Sequence, residues 1–366
     1  NNWAWEIIKD YPVNGTGAGG WAALYHQYQD NNAITTEVHN HYLQTWIEAG
    51  TIGILSLMFV VIISFWCLYR MRSYIEDQEW VLMAGVTGAI IVLLSHAAID
   101  FDFSIPSMLI FLWILLGLIN SRYQKTKDIK ALPTKASPFV NKSILVLVSL
   151  ILFFSGTFFY TAYGHAEEGI RHLRVASFPN LEEAAQQRRL QQAYQELQKA
   201  IRLNPMDAEY QAAWATVNSL SYSKLKDQNS EDTVHYYNNA MEGIIRAEYL
   251  QTYNAINRQR LLESSILLGN GELILKQAEG LLIANPNDIK AYIALVDLLW
   301  EAFQYSLNVN NQEVAKGYAK QIVAVEERLQ LQVKKINPKQ PWHGVPLQFP
   351  EQSKAKIKLA KDYLGY

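Results

Sequence analysis

Four long apolar segments lie between residues 43 and 163, and residues 164–366 hold none. They run from about Leu43 to Tyr69, from Trp80 to Ile99, from Pro106 to Asn120 and from Ser143 to Tyr163. An α-helix rises 1.5 Å per residue, so ~20 residues cross the ~30 Å hydrocarbon core of a bilayer. Inside lipid the backbone must bond to itself, which makes each segment a candidate membrane helix. The third is short. Extending it back through Phe101–Ser104 gives a span of about 104–120; otherwise it is partly re-entrant. The overall content of 50% hydrophobic and 18% charged residues averages over two unlike halves, because residues 164–366 are rich in Gln, Glu, Lys, Tyr and Asn.

Basic residues set the expected orientation. Arg70 and Arg72 follow the first segment, and Arg122, Lys125, Lys127, Lys130, Lys135 and Lys142 lie between the third and fourth. Both loops read as cytoplasmic. The 100–106 turn carries Asp100 and Asp102 and no Lys or Arg, as an outer turn would. With four crossings, residues 1–41 and 164–366 are expected on the same outer face. A net charge of −2 with no basic stripe argues against a nucleic-acid partner. The single cysteine, Cys67, permits no intrachain disulfide. The opening Asn1-Asn2-Trp3 starts inside a polar segment, so the chain is expected to be the C-terminal part of a longer protein with further membrane helices upstream.

The polar half reads as helical. Leu190, Ala193, Tyr194, Leu197, Ala200 and Ile201 recur at i, i+3, i+4 and i+7 spacing. Two stretches look like one unit, Gln198–Tyr210 and Glu279–Tyr292: in each a helix ends at Asn-Pro, and Asp207 or Asp288 is placed to cap the next. A degenerate third lies near Arg246-Ala247-Glu248-Tyr249. This resembles the tetratricopeptide repeat (TPR), with a period of about 40 instead of ~34, so the units are lengthened or irregular. An ordinary helical bundle with two Asn-Pro caps is the alternative. The expected fold is all-α: polytopic membrane helices followed by an extracytoplasmic α-helical, TPR-like solenoid. The expected divisions are an outer loop at 1–41, a membrane region at 42–163 and repeats at 164–366.

Residues 1–41 are polar, aromatic and turn-rich. Gly15, Gly17 and Gly20 match G-x-G-x-x-G by spacing, but no strand precedes them and no βαβ unit follows, which excludes a dinucleotide site. A glycine turn, or backbone N–H groups of Gly15 and Gly17 on a phosphate, remain. His39-Asn40 stands where the polar segment turns apolar, followed after nine residues by Gly50-Thr51-Ile52-Gly53. An ionisable side chain at a membrane mouth is a functional candidate, and anchoring at the interface is the plainer reading. Asn40 is placed to orient a substrate or to cap a helix. His41 reads as solvated. Trp21, Tyr25 and Tyr28 are spaced for one helix face and either stack on sugar rings or line the interface. His96 and Asp100 are i, i+4 neighbours that support a site or form a polar helix end. With two ligands only, no metal is expected there.

The run Glu37–Gly53 is similar to the signature of the O-antigen ligase and polymerase family: His, then Asn, Ser or Gln, nine residues, then Gly-x-x-Gly. His39, Asn40, Gly50 and Gly53 fill it. Tyr11-Pro12, Gly15, Gly17 and Trp21 resemble the family's large outer loop, and Ser95–Asp102 resembles the approach to the last helix of its core. The likeness covers roughly residues 1–120. It implies a glycan carried on a polyprenyl diphosphate and moved on the outer face of a bacterial cytoplasmic membrane, with a glycan or protein acceptor. His39 would be the base or a donor contact. Glu48 would orient an upstream arginine, and Gly50 and Gly53 would allow close helix packing. No nucleotide or other cofactor is implied. Residues 1–69 contain no arginine, and Lys9 is the only lysine before Arg70, so the fragment alone is expected to be inert. The repeats imply a protein partner or a macromolecular acceptor. A glycan polymerase and a non-enzymatic membrane-anchored TPR scaffold are the alternatives.

Overall fold

The computed structural model describes residues 2–31, 33–126, 138–178, 180–226, 231–336 and 345–366. Asn1, Lys127, Lys130 and Lys135, and the side chain of Lys142, lie outside the described residues. The chain is all-α, with no strand among the described residues. Its helices are α1 (Asn2–Asp10), α2 (Gly20–Tyr28), α3 (His41–Met71), α4 (Asp77–His96), α5 (Pro106–Thr126), α6 (Pro138–Ala176) and α7 (Glu183–Leu203). Then follow α8 (Ala208–Leu225), α9 (Glu231–Leu250), α10 (Ala255–Leu268), α11 (Gly271–Ala284), α12 (Ile289–Asn308), α13 (Gln312–Lys335) and α14 (Glu351–Leu364). Two compact units divide them: Asn1–Tyr28 with Ile34–Leu145, and Gln29–Ala33 with Val146–Tyr366.

Among the described residues, four helices are long and apolar enough to cross a membrane: α3, α4, α5 and α6 from Val146. Buried residues make up only 17%, 17%, 28% and 6% of their apolar windows, so the apolar surface faces outward, as hydrocarbon surroundings require. The third span gains its length after Asn120. Phe101–Ser104 does not extend it, because Asp102–Ser104 forms a separate 3-10 turn and α5 starts at Pro106, a residue suited to a first helical position.

In the first unit, α3, α4 and α5 share a core of Met71, Met83, Ile90, Leu112 and Ile119. A second core joins α1 and α2 to the first turns of α3 through Ile7, Trp21, Leu24, Leu43 and Ile47. The N-terminus of α3, the C-terminus of α4 and the turn before α5 meet at one end: His41 N donates to Ala97 O at 2.8 Å, and Tyr42 Oη to Leu94 O at 2.7 Å. The opposite end is basic. There Arg72 lies 5.0 Å over the Trp80 ring, and Arg122 pairs with Glu79 at 3.1 Å.

In the second unit, α6 does not stop at Tyr163. It runs on to Ala176 and packs Leu173 and Ala176 against Leu190, Leu197 and Val217 of α7 and α8. Further cores link α8 to α10 through Ile244 and Leu261, and α12 to α14 through Leu295, Leu299, Ile322 and Ile357. Successive helices reverse at 204–207, 251–254 and 285–288, where Asp207, Asn254 and Asp288 accept N-cap bonds from Glu209 N, Asn257 N and Lys290 N at 2.9, 3.0 and 2.9 Å. The first interval is the longer because α8 and α9 have 18 and 20 residues, against 14 each in α10 and α11. This array is compatible with irregular helical repeats. The 285–288 turn also takes in Gln29–Ala33: Asn287 Nδ2 donates to the carbonyls of Gln29 at 2.8 Å and Asn31 at 3.1 Å.

Candidate active site at the mouth of the membrane helices

Asn40 is the N-cap of α3. Its Oδ1 accepts from Leu43 N at 3.0 Å, and its Nδ2 donates to Ala98 O at 2.8 Å. Both polar groups are thereby committed to holding the α3 and α4 ends together. That capping leaves His39 outside the helix, 68% exposed. Its Nδ1 lies 3.6 Å from Asp100 Oδ1, and its ring sits edge-on to Phe101 at 5.2 Å.

The expected pairing of His96 with Asp100 is corrected. Helix α4 ends at His96, so Asp100 falls in the following turn and not one helical turn further along the same face. His96 Nδ1 bonds Asp102 instead, and Asp100 turns to His39. Asp102, which the sequence marked only as part of an outer turn, is thus a site residue. So is Glu37, whose Oε2 accepts from Ser104 Oγ at 3.3 Å. His41 is corrected too. It is partly buried against Phe103 at 5.2 Å, and its Nδ1 finds no hydrogen-bond partner among the described residues.

His96, Asp100 and Asp102 each place one donor atom within 4.8 Å of the others. His96 bonds Asp102 and Asp100 stands beside His39, which makes two imidazole–carboxylate pairs among four side chains.

The glycine loop is built against a break in α3. Gly50 has φ 66° and ψ −170°, a conformation open essentially to glycine alone. The break exposes carbonyls that the loop satisfies: Thr16 N and Gly17 N donate to Ile47 O and Glu48 O at 2.8 and 3.0 Å, and Thr51 N returns to Pro12 O at 2.9 Å. A Cβ on Gly50 would lie 2.0 Å from Val13 O, and one on Gly15 (φ 69°) would lie 2.5 Å from Gly50 N. Gly50 and Gly15 therefore serve loop-to-helix contact, which corrects the helix-packing role expected for Gly50. Gly53 packs on Ala49 of its own helix. The N–H of Gly17 is spent on α3, which removes it from the phosphate-binding reading.

Among the described residues no cation bonds to Glu48. Its Oε1 accepts from Gln44 Nε2 at 2.7 Å and Gly19 N at 3.1 Å, and buried Gln44 in turn accepts from Val38 N at 2.9 Å. The i, i+4 spacing of Gln44 and Glu48 was the available sign of this chain of bonds. It ties the glycine loop to the residue before His39. Trp21 and Tyr25, expected either to stack on sugar rings or to line the interface, are buried instead: Trp21 stacks between Trp3 at 6.5 Å and Tyr25 at 5.7 Å. Burial raises the Tyr25 phenol above its ordinary value, against a bond from Thr35 backbone that lowers it.

Beside this rim a cleft of about 540 Å³ opens, lined by Trp5, Asn40, Tyr42, Leu43, Trp46, Ile54, Met58, Val61 and Leu94. It starts at Asn40 and follows α3 into the apolar zone.

Residues 2–58 match the family model described as O-antigen ligase. The match includes His39, Asn40, Glu48, Gly15, Gly17, Trp21, Tyr25, Gly50 and Gly53, and stops short of His96, Asp100 and Asp102. No curated protein and no solved structure matches the chain.

Proposed function

We propose, on the premise that residues 2–58 belong to the O-antigen ligase family, that this chain acts as a membrane glycosyltransferase moving a glycan from a polyprenyl diphosphate to an acceptor hydroxyl. One observation carries the reading: an exposed imidazole backed by a carboxylate stands beside an apolar cleft that descends α3. An isoprenoid chain fits the cleft, and the sugar is presented at the wet rim.

In the transfer, the acceptor oxygen attacks the anomeric carbon. The bond from that carbon to the phosphate oxygen breaks, and the diphosphate leaves with the electron pair. His39 takes the acceptor proton at Nε2, while Asp100 faces Nδ1, holds the ring and stabilises the cation that forms. The leaving diphosphate calls for positive charge. Before Arg70 the chain offers only Lys9, which is ion-paired with Glu6 at 2.7 Å. Guanidinium groups from other segments complete the site. The basic end at Arg70, Arg72 and Arg122 faces the cytoplasm of a bacterial cell, and the His39 rim faces outward with the helical array. The array, a TPR-like solenoid, favours a ligase that delivers to a macromolecular acceptor over a polymerase.

The test is transfer in cells by the full-length protein carrying His39→Ala or His39→Gln. Loss of a positioned base lowers transfer about 10²–10⁴-fold with insertion and abundance unchanged. Undiminished transfer by His39→Ala overturns the reading. The acceptor that accumulates unmodified in the variant separates ligation from polymerisation.

A further inference from the structure

We propose that the helical array lies on the bilayer along one edge, with the turns at 204–207 and 251–254 seated among lipid headgroups and Met206 reaching the acyl boundary. This rests on α6 crossing the membrane and not on the transfer chemistry.

The argument is one of register. Between Ser143 and Tyr163, α6 carries no charge, and it enters the array without a break. Helix α7 packs antiparallel against its continuation. Gln186 Nε2 donates to Ala176 O at 2.8 Å, Arg189 Nη1 meets His172 Nδ1 at 3.0 Å, and His165 Nδ1 meets Glu196 Oε2 at 2.6 Å. Ala200 then packs on Ala162 and Ala166. Each residue gained along α7 is one residue lost along α6, in the direction of the apolar run. By that register Leu203 stands beside position 159, and the turn at 204–207 reaches the level of 155–158. At 1.5 Å per residue this level is about 8–12 Å on the lipid side of Tyr163. The exposed rings of Tyr160 and Tyr163 mark the interface itself.

The turn is made for such a place. Met206 is 71% exposed. The first N–H groups of α8 are satisfied by Asp207, which accepts from Glu209 N and Tyr210 N. Arg202 is exposed on α7 just above, with a stem long enough to bring its head to phosphates. The second turn shares this edge, because Arg260 Nη1 bonds Glu209 Oε1 at 2.9 Å and so sets the start of α10 beside the start of α8. There Tyr249, 84% exposed, Tyr253 and Ile256 are uncovered. Water is a poor solvent for such an apolar fringe, and a bilayer interface accepts it.

The experiment uses the full chain with Cys67→Ser, reconstituted in vesicles of phosphatidylcholine and phosphatidylglycerol. Nitroxide labels are placed at Met206→Cys, at Tyr249→Cys, at Arg188→Cys higher on α7, and at Phe153→Cys inside the span. Collision with dissolved oxygen is compared with collision with a water-soluble nickel chelate. The expected oxygen-to-nickel ratio at 206 and 249 is several-fold above that at 188 and approaches that at 153. A ratio at both 206 and 249 equal to that at 188 overturns the proposal, as does a label at 206 shielded from both reagents, which signals a protein partner. An aqueous ratio at 153 overturns its premise, while leaving the His39 reading to its own test.

Discussion

At the mouth of the membrane helices Glu37, Asp100 and Asp102 stand with His39 and His96, and among the described residues no Lys or Arg bonds to any of the three. In the helical array the carboxylates are held differently. Glu196 takes Lys199 at 2.7 Å and His165 at 2.6 Å; Glu248 takes Lys276 at 3.0 Å and Arg258 at 3.5 Å. Burial alone would raise both glutamates. Hydrogen bonds from Lys199 and His165 on Glu196, and from Lys276 and Gln277 on Glu248, outweigh it, so both carboxyls lie below their ordinary range. The array uses charge to fix helices to one another. The rim leaves carboxylates uncompensated, an arrangement that gains stability only when a substrate or another segment brings a cation.

Removing a cation from the array sharpens the contrast most. Arg258 is buried, donates to Gln277 Oε1 at 2.8 Å and Thr252 O at 2.6 Å, and lies where a Cβ on Gly280 would come within 2.7 Å of it. Arg258→Ala strands Glu248 and Gln277 and is expected to cost about 3–5 kcal/mol. The readout is amide exchange in α9–α11 of the full chain, with the rim unaffected. Next is Gly50→Ala, which meets strain of about 1–3 kcal/mol in a backbone conformation open essentially to glycine and also drives the new Cβ into backbone of the 12–15 loop. Gly17→Ala, at φ 86° with nothing within 4 Å, meets the strain alone. Exchange at Thr16 and Thr51 distinguishes them: both amides open in the first variant, and equal protection in the two variants would contradict the loop-to-break account. At the rim, Asp100→Asn is expected to slow transfer about tenfold, or ~1.4 kcal/mol of barrier, with exchange unchanged throughout. Instability in that variant would erase the contrast between the two regions.

The helices and their caps were legible because their signals are local. Apolar runs set the spans, and Asn-Pro-x-Asp set two of the array's turns. The unread features depend on residues distant in sequence. Gly50 breaks α3 because a loop some 35 residues earlier lies against it, and no periodicity within α3 announces that. His96 pairs with Asp102 and not with Asp100 because α4 ends at His96, and i, i+4 reasoning assumes a helix that continues. The aromatic spacing of Trp21 and Tyr25 was read correctly as one face, but a core uses the same spacing as a sugar platform. Helix α6 runs past Tyr163 because Gly164 alone is too weak a stop once α7 and α8 cover the next three turns.

The smallest effect concerns pH. A carboxyl held below its ordinary range contributes stability that is fully present above the unfolded value and is lost as pH falls through the folded one. For Glu248, with an ordinary value near 4.5, protection of α9–α11 should hold from neutrality down to about that pH and weaken below it. Glu248→Gln keeps the shape but only one of the two acceptor oxygens that Lys276 and Gln277 use at Oε1 and Oε2; it strands no buried charge, so it lowers protection at neutral pH less than Arg258→Ala does. It also flattens the acid limb, because the titrating group is gone. The rim offers the control, since His39, Asp100 and Asp102 are untouched by the change. If the acid limb in α9–α11 survives Glu248→Gln unaltered, charge compensation in the array resides elsewhere, with Glu196 and its Lys199 and His165 partners as the next pair to substitute.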